Sequence, residues 1–216
     1  MPDAFSAARV ELRERWNGRS AFCKQLLHSI THAVLTRHPY GFLVMRCGSH
    51  SRADLRIHIW LDVPRIRQEP DWPSHTHPGP LLSFVIAGCV RSRVWNVVPD
   101  KSSPHCVYKV SYSGEESVLK RTKRLVRIEV ASETRVRAGK SYEVAEAVFH
   151  DTDVDPGQRA ATIVWMRRLR RVRASVIGER DGPSEIRFRR AGVTSSEILA
   201  ARHFILEALG VEGWKQ

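Results

Sequence analysis

Residues 73–88 read Pro73-Ser74-His75-Thr76-His77-Pro78-Gly79-Pro80-Leu81-Leu82-Ser83-Phe84-Val85-Ile86-Ala87-Gly88. Two histidines stand two apart, and on an extended backbone such residues project to the same side. Two imidazoles side by side make half a site for a divalent first-row metal. An apolar run, Leu81 to Ala87, follows at once and ends in a turn glycine, Gly88. About 70 residues downstream lies Gly139-Lys140-Ser141-Tyr142-Glu143-Val144-Ala145-Glu146-Ala147-Val148-Phe149-His150. It offers a turn glycine, a short strand, a tight connection and a lone histidine.

The chain around these stretches is rich in short strand-like runs. Beyond Leu81–Ala87 they are Phe42 to Met45, Leu55 to Leu61, Val90 to Val97, Val107 to Tyr112, Leu125 to Val130, Tyr142 to Val144 and Ala161 to Arg167, with turn formers between them, among them Asp151 to Gly157. About eight strands close a small barrel or jelly roll. Residues 20 to 37 read as an amphipathic helix, with Cys23, Leu26, Leu27, Ile30, Ala33 and Val34 at 3- and 4-residue spacing, Ser20 as cap and His38-Pro39 as stop. Arg9 to Trp16 is expected to form a shorter helix. Near the other end, Thr194-Ser195-Ser196-Glu197 fits a capping box, followed by Ile198, Leu199, Ile205, Leu206 and Leu209, with Gly210 as stop. The reading therefore divides the chain into an N-terminal helical extension (1–40), a β-barrel (41–175) and a C-terminal segment ending in a helix (176–216).

Composition narrows the partners. The chain has 216 residues, 42% of them hydrophobic, which excludes a wholly disordered chain and fits one sizeable domain. No apolar run approaches the roughly 18–20 residues of a membrane helix. The first sixteen residues show no apolar signal core, and the four cysteines form no CxxC pair, so a reducing cytoplasm is the expected location. A net charge of +12 favours anionic partners, but only 7 of the 35 cations are lysine, and arginine enrichment alone does not make a nucleic-acid binder. The densest run, Arg167 to Arg173, has no interleaved aromatic on which bases would stack. Nucleic-acid binding is a lesser alternative.

The two histidine stretches, in this order and on this background, resemble the cupins over roughly Leu55 to Arg167. Their first motif is a His-x-His with a following strand and glycine. Their second is a glycine, a strand, a turn and one histidine. The resemblance implies an all-β cupin jelly-roll barrel, here with N- and C-terminal α-helical extensions, in which His75, His77 and His150 bind one metal. Homodimers are common in that family. Many cupins add a glutamate about seven residues before the first-motif glycine; here that position is Leu81. The Pro-x-Gly usual in the second motif is also absent, Val144-Ala145-Glu146-Ala147 standing there. The missing glutamate points away from three-His-one-Glu manganese enzymes and toward three-His sites similar to those of thiol dioxygenases. What the resemblance implies is Fe(II), with Zn, Ni or Mn able to take the same ligands, O2 as co-substrate and a small anionic substrate. A ligand-binding or sensor cupin without catalysis is the alternative.

Further candidates come from alternation. In Leu55–Leu61, Leu55, Ile57, Ile59 and Leu61 share one face, and Arg56, His58 and Trp60 the other. Were the second face to look into the barrel, Arg56 would clamp a carboxylate and His58 would act as acid or base, although a solvated face is the simpler expectation. Arg91 and Arg93 pose the same question on the next strand. Tyr142 is a candidate donor to bound substrate or oxygen. His28, His32, His38, His50, His105 and His203 have no partner at ligand spacing, and Asp151, Asp153 and Asp155 read as a solvated turn.

Overall fold

A computed structural model describes residues 21–50, 53–113, 116–167 and 173–210. The expected helix Arg9–Trp16 and most of the Arg167–Arg173 run lie outside the described residues. The elements are α1 (Ala21–His32), β1 (Leu35–Arg37), β2 (Leu43–His50), β3 (Ala53–Trp60), β4 (Leu81–Ala87), β5 (Cys89–Pro99), β6 (His105–Ser113), β7 (Glu116–Arg137), β8 (Ser141–Val144), β9 (His150–Asp153), β10 (Ala160–Arg167), β11 (Ser175–Glu179), β12 (Glu185–Arg189) and α2 (Ser195–Ala208). Every strand run expected from the sequence coincides with one of these strands, except that Phe42 lies just before β2 and Leu61 just after β3. The sheets also reach beyond 41–175, through β1 at one end and β11 and β12 at the other.

Two antiparallel sheets form the barrel. The first has the order β1-β2-β3-β10-β4-β8, and the second β11-β6-β7-β5-β9 with β12 on β7. The second sheet does not end at its edges. His75 exchanges backbone hydrogen bonds with His150 of β9 at 2.9 and 3.0 Å, while Thr76 donates to Ser175 of β11 at 2.8 Å and Ile177 donates to Ser74 at 3.0 Å. The segment 74–76 thus bridges both outer strands and satisfies backbone groups that would otherwise be orphaned.

The first sheet has two apolar faces. Its outer face carries Leu43, Met45, Leu55, Ile57, Ile59, Leu82, Ile163 and Trp165, covered by Leu26 and Ile30 of α1 and by Ala201, Phe204, Ile205 and Leu206 of α2. Its inner face carries Phe42, Val44, Trp60, Val85 and Ala160, which meet Val90 and Val136 of the second sheet. Arg56, His58 and Trp60 therefore look into the barrel, and the greasy face of β3 packs under helices. The simpler expectation of a solvated face fails because the helices take that apolar face, leaving the mixed one to face the second sheet.

The N-terminal helix is shorter than its apolar pattern. It stops at His32, Leu35–Arg37 is a strand paired with β2, and Val34 is exposed. Tertiary pairing outweighs helical periodicity here: Leu35 and Arg37 bury on alternate positions as strand residues do. A three-residue turn, Pro39 to Gly41, closes this hairpin, with His38 donating to Phe42 at 2.7 Å and Gly41 at φ +88°. At the far end the capping box of Thr194 and Glu197 is present. Glu197 also takes the buried guanidinium of Arg37 at 2.7 Å, tying α2 to β1. Gly88 is required twice over: its φ is +71°, and a Cβ there would lie 2.1 Å from the Arg159 carbonyl oxygen.

Candidate metal centre

The bridge between His75 and His150 is what builds the site. Residues directly opposite in an antiparallel pair present their side chains on the same face. The rings of His75 and His150 accordingly have centroids 4.7 Å apart. His77, two residues on, brings its ring within 4.8 Å of His75 and 5.0 Å of His150. Through 72–77 the buried Trp72, Ser74 and Thr76 alternate with half-buried Pro73, His75 and His77, a strand-like period of two. One ring nitrogen from each of the three histidines lies within 4.8 Å of the others, a group able to hold a metal ion.

The residues fit a metal on their own chemistry. His75 Nδ1 lies 2.8 Å from the Pro73 carbonyl oxygen. A carbonyl only accepts, so Nδ1 carries the proton and Nε2 is left as a ligand atom. His150 is 3% exposed, and neither of its ring nitrogens has a hydrogen-bond partner. An enclosed imidazole with both nitrogens unsatisfied is costly unless something outside the protein atoms engages it. Among the described residues no carboxylate joins the group: Leu81, at the position where a fourth ligand was sought, packs with Val144, Val164 and Met166.

Two more histidines share the chamber. His38, which the spacing argument set aside as ordinary, stacks on Phe42 at 4.2 Å and stands 6.1 Å from His75. Tyr40 lies 4.9 Å from His75. The signal that exposes this pair is the turn Pro39-Tyr40-Gly41, because a hairpin in place of a helix end aims His38 inward. His58 faces Phe42 at 4.9 Å and His38 at 6.5 Å.

Burial is the first cause of a lowered pKa for all five rings, and for His38, His58, His77 and His150 the neighbouring imidazoles add to it. His58 falls to about 3. All are neutral at pH 7, as metal ligands must be. The same shifts make the metal-free barrel acid-labile. Below the ordinary histidine value of about 6.5 the unfolded chain binds protons that the native state refuses, so stability rises with pH. The contribution is complete above that value and is lost as pH falls below it through each ring's lowered value, about 3 for His58. The urea midpoint of metal-free protein should be lower at pH 5.5 than at pH 7.5; equal midpoints would contradict it.

The remaining candidates divide. Arg56 faces inward and is paired with Asp54 at 2.9 Å. Tyr142 lies inside too, its hydroxyl 3.1 Å from Thr152 Oγ1, one inward position along β9 from His150. Arg91 and Arg93 are corrected. They stand in register with Asp153 and Asp151, on the face opposite His150, while Val90 and Ser92 turn inward. Arg93 donates to the buried Asp151 carboxylate at 2.9 Å, and Trp95 Nε1 donates to it at 2.7 Å. Asp151 and Asp153 are no solvated turn, since they lie in β9 and Arg65 and Arg67 hold Asp153; Asp155 does stand half-exposed beside the turn at Pro156-Gly157, paired with Arg135 at 2.7 Å. This outer network braces β9, the strand that carries His150.

No family model matches the chain, and no curated protein matches it. Among solved structures it is similar to a hydroquinone 1,2-dioxygenase in complex with Cd2+ and 4-hydroxybenzonitrile, with 12% identity, TM-score 0.36, and coverage of 62% of this chain and 67% of that one. A cupin-like protein from Thermotoga maritima gives 13% identity, TM-score 0.27, and coverage of 74% and 84%. Procruciferin, an 11S globulin from Brassica napus, gives 11%, 0.34, 86% and 49%. These likenesses are loose. What the chain's own coordinates define is a β-barrel of two antiparallel sheets with helical extensions and three histidines grouped so that they could hold a metal ion. No helix of the described residues is long and apolar enough to cross a membrane.

Proposed function

We propose that the protein is a mononuclear metal enzyme, an Fe(II) dioxygenase or oxygenase acting on a small anionic molecule. The observation that carries this reading is the buried His150 ring, with both nitrogens unpartnered, set against His75 and His77. His75, His77 and His150 would hold the ion as neutral imidazoles that leave its charge uncompensated, and the ion would supply attraction for an anionic substrate atom and for O2. Zn, Ni or Mn would be accepted by the same rings. The protein's own contribution is the set of inward-facing side chains around the histidines. Phe42 and Trp60 supply apolar wall, which excludes water and strengthens electrostatic attraction to an anion. Arg56, supported by Asp54, places a guanidinium on the inward face for a carboxylate. His58, held neutral, serves as a hydrogen-bond partner rather than as a charged acid. Tyr142 keeps its proton and orients Thr152 beside His150.

The test is oxygen uptake by Fe(II)-loaded protein with a panel of small carboxylates, phenols and thiols. One class should drive O2 consumption that His77→Ala abolishes. Stoichiometric metal with no uptake on any of them would move the protein to the ligand-binding alternative.

A further inference from the structure

His38 has a fixed tautomer. The backbone N–H of Tyr40 donates to its Nδ1 at 3.3 Å. A ring nitrogen that accepts a hydrogen bond bears no proton, so the proton of the imidazole sits on Nε2. The ring is also fixed in orientation. It is stacked on Phe42 with an interplanar angle of 10°, and its backbone closes the hairpin turn, donating to Phe42 and accepting from Gly41. Nε2–H meets no acceptor among the described residues. The ring borders His75 at 6.1 Å and His58 at 6.5 Å, which puts this unused donor on a ring set against the three-histidine group. It lies outside that group, whose three ligand atoms come from His75, His77 and His150.

We propose that His38 is a ligand-binding residue of this site: its Nε2–H donates to the anionic oxygen of a small carboxylate or phenolate held at the three-histidine centre. A donor beside a cation selects an oxygen anion with a second lone pair, because one lone pair is taken by the metal and the other by the N–H. Binding the donor to the hairpin backbone keeps it in place before the ligand arrives, which lowers the cost of ordering it. The inference rests on the metal-site reading above and adds the chemistry of the ligand.

The experiment uses the full chain reconstituted with Co(II), with formate as the probe and the visible Co(II) spectrum as the readout. His38→Phe retains the stacking on Phe42 and lacks the donor; His38→Gln restores an N–H. Cobalt content should be unchanged in both variants. Formate should bind about tenfold more weakly to His38→Phe, the effect of removing one hydrogen bond to a charged group, and His38→Gln should recover part of the loss. Equal formate affinity in wild type and His38→Phe, with cobalt retained, overturns the proposal and leaves the metal site standing. Loss of cobalt from His38→Gln would also overturn it, by making His38 a metal ligand. Failure of the wild type to take up cobalt would overturn both readings together.

Discussion

His150→Ala should abolish metal binding while leaving a folded barrel. Protein purified without added metal should carry about one equivalent of a transition metal, and the variant close to none, by elemental analysis. Removing one of three ligands should exceed the roughly 10- to 100-fold loss that follows removal of a supporting hydrogen bond alone. The wild type should gain thermal stability on adding metal, since an ion that binds only the native state stabilises it by mass action, and the variant should not. The fold itself should tolerate the change. His150 is buried with neither ring nitrogen satisfied in the metal-free state, so deleting the ring removes two desolvated polar atoms along with its packing. These effects oppose one another. A variant that keeps its full metal content would end the three-histidine reading.

The second large effect concerns the strand that carries this ligand. Arg93→Ala leaves the Asp151 carboxylate, 3% exposed, with Trp95 as its remaining hydrogen-bond donor. Breaking a fully buried pair costs roughly 3–5 kcal/mol. The Arg93 side chain keeps about a quarter of its exposure, so about 2–3 kcal/mol is the expected loss. For a chain of this size that lowers Tm by roughly 4–12 °C. Metal affinity should fall as well, because β9 is held to β5 through this pair. Asp151→Asn in the Arg93→Ala background should return part of the stability, since it removes the uncompensated charge. The result also separates two roles for Arg93. A substrate clamp would change substrate affinity and leave Tm in place; a brace does the reverse.

These two residues show how the chain divides between what is readable and what is not. The three histidines of the group were legible because the stretches that carry them are local patterns. His75 and His77 are two apart beside a strand, His150 follows a turn glycine and a strand, and their joining in one group is what the resemblance to the cupins implied. The strands with alternating or continuous apolar runs, such as β3, β4 and β10, were legible for the same reason. β9 was not. His150-Asp151-Thr152-Asp153 has the composition of a turn, and it is a strand because β5 and the His75 segment supply its hydrogen bonds. The start of β7 and all of β12 are likewise strands by pairing, their charged residues lying on exposed positions.

Facing is harder than existence. Alternation in β3 separates Leu55, Ile57 and Ile59 from Arg56, His58 and Trp60, and it says nothing about which set faces the second sheet. The same ambiguity misplaced Arg91 and Arg93, whose two faces differ in charge alone. His38 was hidden by a helix read five residues too far, since Leu35 to Arg37 fits both a last helical turn and a short strand.

The all-β barrel with flanking helices, the three imidazoles and the leucine at position 81 were readable along the chain, because they depend on residue type and spacing. Folding in three dimensions settled that helices cover the apolar side of β3, that His38 and His58 stand beside the three-histidine group, and that Arg93 pairs with Asp151 on the face away from His150. Each is a choice between two faces or two partners, and it is settled by which surfaces the other elements leave to be buried.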